Sequence, residues 1–103
     1  MPWPNKDYYV ARTMLRSFVG RSCPYCGHAM KNPTRDHVRP KRAGGSLTKR
    51  NVLIVCEPCN NEKSDMMLRE FYEMLKAKND PRAINVKRQL ERGADPFEFT
   101  TIR

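Results

Sequence analysis

The sequence predicts a small α+β fold in which two short strands, flanked by helices, are drawn together by a cluster of four cysteines. Three observations predict it. Cys23 and Cys26 are two residues apart, as are Cys56 and Cys59, with 29 residues between the pairs. Between those pairs lies Val52-Leu53-Ile54-Val55, a short apolar run of strand type. On either side, apolar residues recur at three- and four-residue spacing, the period of a helix.

In chain order, a first helix is expected over about residues 6–19. Tyr8, Ala11, Met14, Leu15 and Phe18 form its apolar stripe, Asn5 caps its start and Gly20 ends it. The stripe reads as core packing. Cys23-Pro24-Tyr25-Cys26-Gly27 is a tight turn with two thiols. A strand near residues 34–38 leads into a long loop containing Pro40, Gly44 and Gly45, and residues 52–55 form the second strand. From Glu57 the pattern is helical: one helix opens near Cys59, the chain breaks around Ser64-Asp65, and Leu68, Phe71, Tyr72 and Leu75 form another stripe. Asp80-Pro81 reads as an N-cap followed by a first-turn proline, opening a last helix that runs to about Arg92 and ends at Gly93. A chain of 103 residues has room for one domain. It is taken as 1–103, with a core at about 22–65 and C-terminal helices at about 66–92.

Charge is distributed unevenly. Residues 1–56 hold 11 Lys/Arg against 2 acids, whereas residues 57–103 hold 9 against 9, so the whole excess of +9 lies in the first half. It concentrates in residues 31–50, where Lys31, Arg35, Arg39, Lys41, Arg42, Lys49 and Arg50 face a single acid, Asp36. Such a stretch suits a polyanion such as a nucleic-acid backbone, or else forms a solvated basic loop. It has no apolar face for insertion into a membrane. No apolar run is long enough to cross a bilayer, and the first residues lack a signal-peptide core, so a cytoplasmic location is expected.

In a reducing compartment four cysteines serve as metal ligands more often than as disulfides. A two-residue gap lets both thiolates of one turn reach the same tetrahedral Zn²⁺, and two such pairs complete a closed shell. The expected role of Cys23, Cys26, Cys56 and Cys59 is therefore structural. His28, just after the first pair, reads as an exposed knuckle residue, with replacement of a cysteine as the other option.

The segment between and beside the cysteines adds chemistry that a plain zinc ribbon does not require. It reads Arg35-Asp36-His37-Val38-Arg39-Pro40, then Gly44-Gly45, then Asn51-Val52-Leu53, then Cys56-Glu57-Pro58-Cys59-Asn60-Asn61-Glu62-Lys63. This text resembles the HNH endonuclease family, in the variety where two CxxC pairs bind zinc and asparagine takes the last motif position. The resemblance covers roughly residues 22–65. It implies a ββα-metal core and metal-dependent hydrolysis of phosphodiester bonds in DNA; sequence specificity is expected to be loose, because phosphate contacts position the protein without reading sequence.

Residue by residue, the resemblance makes His37 the general base that takes a proton from the attacking water. Asp36 and Asn60 would hold the catalytic divalent metal, and Asn51 would brace the loop that carries the base. Arg35, Arg39, Lys41, Arg42, Lys49, Arg50 and Lys63 would meet nucleic acid. Asparagine in place of the family's last histidine offers a harder donor, which favours Mg²⁺ or Mn²⁺ over Zn²⁺ or Ni²⁺. Each residue also has a plainer reading: His37 as a structural histidine, Asn51 as a turn residue, Asn60 as a helix cap, Lys63 as a solvated lysine. Two rival functions stand beside the nuclease. One is a catalytically inactive zinc-ribbon module that binds nucleic acid. The other is an adaptor, with a protein partner or dimer contact through the neutral helical C-terminal half.

Overall fold

The computed structural model describes residues 10–40, 42, 44 and 51–92. The expectations placed on Asn5, Tyr8, Lys41, Gly45, Lys49, Arg50 and Gly93 lie outside those residues. The described elements are a 3-10 helix Arg12–Phe18, strands β1 Pro33–His37 and β2 Val52–Cys56, and helices α1 Glu57–Lys63, α2 Leu68–Ala77 and α3 Arg82–Glu91. Strands and helices fall within a residue or two of their expected places.

The first helix differs. It is a 3-10 helix, shorter than expected, and none of its residues is fully buried. Its apolar residues pair at a spacing of three, Ala11 with Met14 and Leu15 with Phe18, and three is the repeat of a 3-10 helix. Met14, Leu15 and Phe18 lean on the core from outside rather than entering it.

β1 and β2 form an antiparallel pair in which Asp36 lies opposite Leu53 and His37 opposite Val52. Alternation along β1 puts Thr34 and Asp36 on one face and Arg35 and His37 on the other. α1 crosses the Thr34–Asp36 face: Asn60 Nδ2 donates to Thr34 Oγ1 at 2.9 Å and Lys63 Nζ reaches Asp36. A seven-residue helix and a two-stranded hairpin are each too short to persist alone. They depend on their cross-links and on the core beneath.

That core centres on Tyr25, Val38, Val55, Leu68, Phe71, Leu75 and Val86, all fully buried. The Tyr25 and Phe71 rings meet at 5.5 Å, joining the cysteine turn to α2. Ser64, at φ 54°, breaks the chain between α1 and α2. α3 has Pro81 at its N-cap position rather than Asp80, one residue later than expected, and Asp80 Oδ1 accepts the Arg82 backbone N–H at 2.9 Å from just outside the helix. Among the described residues no helix is long and apolar enough to cross a membrane.

Candidate metal centre and motif site

The four cysteines converge. All are free thiols, and their sulfurs lie within 4.8 Å of one another. Cys26 Sγ and Cys56 Sγ are 3.7 Å apart, close to the edge of about 3.8 Å that a tetrahedron with 2.3 Å metal–sulfur bonds would have. The backbone N–H groups of Tyr25 and Cys56 each point at Cys23 Sγ at 3.4 Å, and Arg82 Nη1 lies 3.7 Å from Cys59 Sγ. Donors aimed at sulfur favour the thiolate form that a metal needs. The hydrogen bond from the Cys59 thiol, helped by the Cys56, Cys26 and Tyr25 backbone, pushes Cys23 down to about 4 against the opposing effect of burial. Gly27 follows the first pair at φ 80°, a left-handed conformation that a side chain would strain. The donor set and spacing therefore fit a closed four-sulfur metal site.

Arg82 carries this cluster outward. It bonds Glu62 Oε2 at 3.0 Å and Asp80 Oδ2 at 2.7 Å, tying α3 to α1. Its guanidinium holds Asp80 down to about 2.

The motif residues lie on the hairpin beside that cluster. Asp36 is 1% exposed and both of its oxygens are engaged: Lys63 Nζ lies 3.2 Å from Oδ1, and the Tyr25 hydroxyl donates to Oδ2. Burial pushes the Asp36 carboxyl above the usual carboxylate range, with Lys63 and Tyr25 working against it. Burial and the Asp36 charge together push the Tyr25 hydroxyl well up. Lys63 Nζ also donates to the His37 carbonyl at 2.7 Å, so one ammonium ties the acid to the backbone of its neighbour. His37 is half-buried at the end of β1, on the other face of the strand.

Asn51 is buried at the entry to β2. Its Oδ1 accepts the Arg39 N–H at 2.8 Å and its Nδ2 donates to the Arg39 carbonyl at 2.9 Å. This double bond to one residue's backbone holds the chain just past His37. Asn60 Nδ2 donates to Thr34 Oγ1 at 2.9 Å and to the Arg35 carbonyl at 3.1 Å. Asn60 therefore sits over Thr34, and Lys63, one turn on, stands over Asp36. His28 is exposed and its carbonyl accepts the Cys23 N–H at 2.8 Å, as befits a knuckle residue.

Two expectations change here. Lys63, expected to face a phosphate, is fully buried. It lies one turn beyond Cys59, and i,i+4 residues share a helix face, so the face that delivers the cysteine inward also delivers the lysine. Tyr25, which the sequence marked only as part of a turn, is the second partner of Asp36. That contact spans 11 residues, and nothing local announces it.

The described basic residues are also more engaged than a free loop implies. Arg35 Nη1 donates to the Val10 carbonyl at 3.1 Å, and Arg42 pairs with Asp65 at 3.2 Å and Glu70 at 3.7 Å. The Arg42 pairs are exposed and stabilise little.

A two-stranded antiparallel hairpin crossed by a short helix, stapled at one end by four cysteines, defines a ββα-metal module. The HNH endonuclease family model matches residues 23–76, just over half of the chain, and the chain belongs to that family. Neither a curated protein nor a solved structure matches it significantly. Membership brings a nuclease-type function, nucleic acid as the substrate class and divalent metal as the kind of cofactor.

Proposed function

We propose that this protein is a metal-dependent endonuclease that hydrolyses phosphodiester bonds in DNA with loose sequence specificity. One observation carries the reading: the family match spans the hairpin and helix that hold Asp36, His37, Asn51 and Asn60. The cysteine cluster holds Zn²⁺ in a structural role, since a shell of four thiolates leaves no ligand position for water.

Asp36 and Asn60 hold the catalytic cation, Mg²⁺ or Mn²⁺. The fit rests on two observations. A positive charge, the Lys63 ammonium, already stands at Asp36 Oδ1. On the same side of β1, the Asn60 amide makes its hydrogen bonds through nitrogen and keeps a hard oxygen for a ligand. When bound, the cation supplies charge stabilisation at the scissile phosphate and the leaving oxygen.

The chain's own residues do the rest. His37 takes a proton from water onto its unprotonated imidazole nitrogen, and the water oxygen bonds to phosphorus. The bond from phosphorus to the 3′ oxygen breaks, and that oxygen leaves with a proton from solvent. Asn51 keeps the His37 end of β1 in place through Arg39. Phosphate contacts position the strand without reading its sequence, hence the loose specificity.

Plasmid nicking with and without Mg²⁺ or Mn²⁺ tests this reading. Metal-dependent conversion of supercoiled to open-circular DNA is the expected result. No cleavage of single- or double-stranded DNA or RNA with any divalent metal would leave the zinc-ribbon binding module as the better reading.

The Lys63–Asp36 pair yields a separate expectation. A cation 3.2 Å from the carboxylate competes with any metal for the same charge. Lys63→Met should therefore tighten Mn²⁺ binding, measured by electron paramagnetic resonance without nucleic acid, on the order of tenfold. The variant should melt at lower temperature than the parent, because it leaves a buried carboxylate unpaired. Mn²⁺ should restore more stability to it than to the parent. Unchanged or weaker Mn²⁺ affinity would show that Lys63 and metal do not share Asp36.

A further inference from the structure

Outside the residues matched by the family, the 3-10 helix Arg12–Phe18 does little for the core: none of its residues is fully buried. Between this helix and the segment entering β1 runs an open groove of about 630 Å³. Arg12, Arg16, Lys31, Asn32 and Thr34 line it, with Glu57 as the acid on its wall. Arg12, Arg16 and Lys31 are all exposed, and none forms an ion pair with a described residue. Three other cations are matched by acids: Arg82 by Glu62 and Asp80, Lys78 by Glu62, Arg42 by Asp65 and Glu70. Unmatched positive charge lining a concave surface suits a polyanion.

The groove borders the motif site through Thr34, which lines it and accepts the hydrogen bond from Asn60. Thr34 and His37 are three residue steps apart along β1, about 10 Å at 3.3 Å per residue. That distance corresponds to about three nucleotides along one strand. Arg12 and Arg16 are themselves about 8 Å apart along a 3-10 axis, so they offer successive contacts rather than one clamp.

We infer that this groove is a second nucleic-acid-binding surface, which holds the DNA backbone a few nucleotides from the cleavage position through Arg12, Arg16 and Lys31. It rests on the nuclease reading for the identity of the polyanion. It adds a binding arm that the family core does not contain, because Arg12 and Arg16 precede residue 23.

The test is binding by the full zinc-loaded chain to a fluorescent 30-base-pair duplex across a salt series, with no added divalent metal. Arg12→Ala/Arg16→Ala/Lys31→Ala should weaken binding at least tenfold at low salt. The slope of log affinity against log salt should fall by about 2–3, since each lost phosphate contact removes about 0.9. A control that removes the same charge from the C-terminal helices, Lys76→Ala/Lys87→Ala/Arg88→Ala, should keep the parent slope. The single variants Arg12→Ala and Arg16→Ala, each expected to lower the slope by about 1, carry the test if the triple variant folds poorly. A parent slope in the groove variants, an equal loss in the control, or no DNA binding by the parent would each overturn the inference. Because no cleavage is read, a parent that binds through the groove but never nicks plasmid would refute the nuclease and leave the groove standing.

Discussion

Replacing His37 with alanine is expected to lower the rate of DNA cleavage by about 10²–10⁴, the usual worth of a positioned general base. The zinc content and affinity for DNA should be left close to those of the parent. The separation follows from the fold. His37 ends β1 with its side chain on the face away from α1, whereas its backbone carbonyl is what Lys63 grips at 2.7 Å. Alanine keeps that carbonyl and the pairing with Val52. Asp36, Lys63 and Tyr25 keep their mutual contacts. The variant should therefore fold, bind Mn²⁺ like the parent and fail only at proton removal. Single-turnover nicking at saturating protein reads the chemical step directly. A rate within a few-fold of the parent would remove His37 from the role of base. Asp36→Ala makes the contrast: it should also lose cleavage, but with weakened Mn²⁺ affinity and lower stability, because Lys63 would be left buried without its counter-ion.

Stripping the metal from the cysteine cluster is expected to unfold the hairpin and α1, not merely to loosen them. Structural Zn²⁺ in small sites is worth about 10–16 kcal/mol of apparent binding free energy. That is as large as the roughly 5–15 kcal/mol typical of a whole domain's stability. The local elements have little in reserve. β1 and β2 hold five residues each, α1 holds seven, and Cys56 and Cys59 are the join between β2 and α1. Without metal the hairpin loses the cross-link between its base and the turn at Cys23–Cys26. One Zn²⁺ per chain by elemental analysis, and loss of helical circular dichroism on chelation, are the expected measurements. Cys59→Ser should reproduce the chelated state. Absence of zinc, or a melting temperature indifferent to chelator, would refute a structural metal.

Much of the core fold was legible in the sequence because its signals are local or combinatorial. Two CxxC pairs force distant turns to meet, and that closure folds the strands between them back as a hairpin. Apolar periodicity marks α2, and Asp80-Pro81 marks the start of α3. The motif text around Asp36, Asn51 and Asn60 identified the family, which the match over residues 23–76 then showed.

Other features depended on which surfaces meet. Along the first helix the sequence registered apolar spacing but not how deeply the helix would pack. A 3-10 helix held against the outside of the core leaves its arginines in solvent, where they face the groove. Lys63 was the sharper misreading. A lysine in a strongly basic chain looks like a surface charge, and only the packing of α1 onto β1 turns it inward onto Asp36. Nor could the sequence locate the hydroxyl of Tyr25, since its partner lies 11 residues away on another element. By itself, then, the sequence determined the cysteine cluster, the order of the strands and later helices, and the family, because fixed spacings and short motifs encode those. The tertiary structure alone decided which charges are buried and paired and which face solvent, because burial is a property of two surfaces in contact and not of the residue that carries the charge.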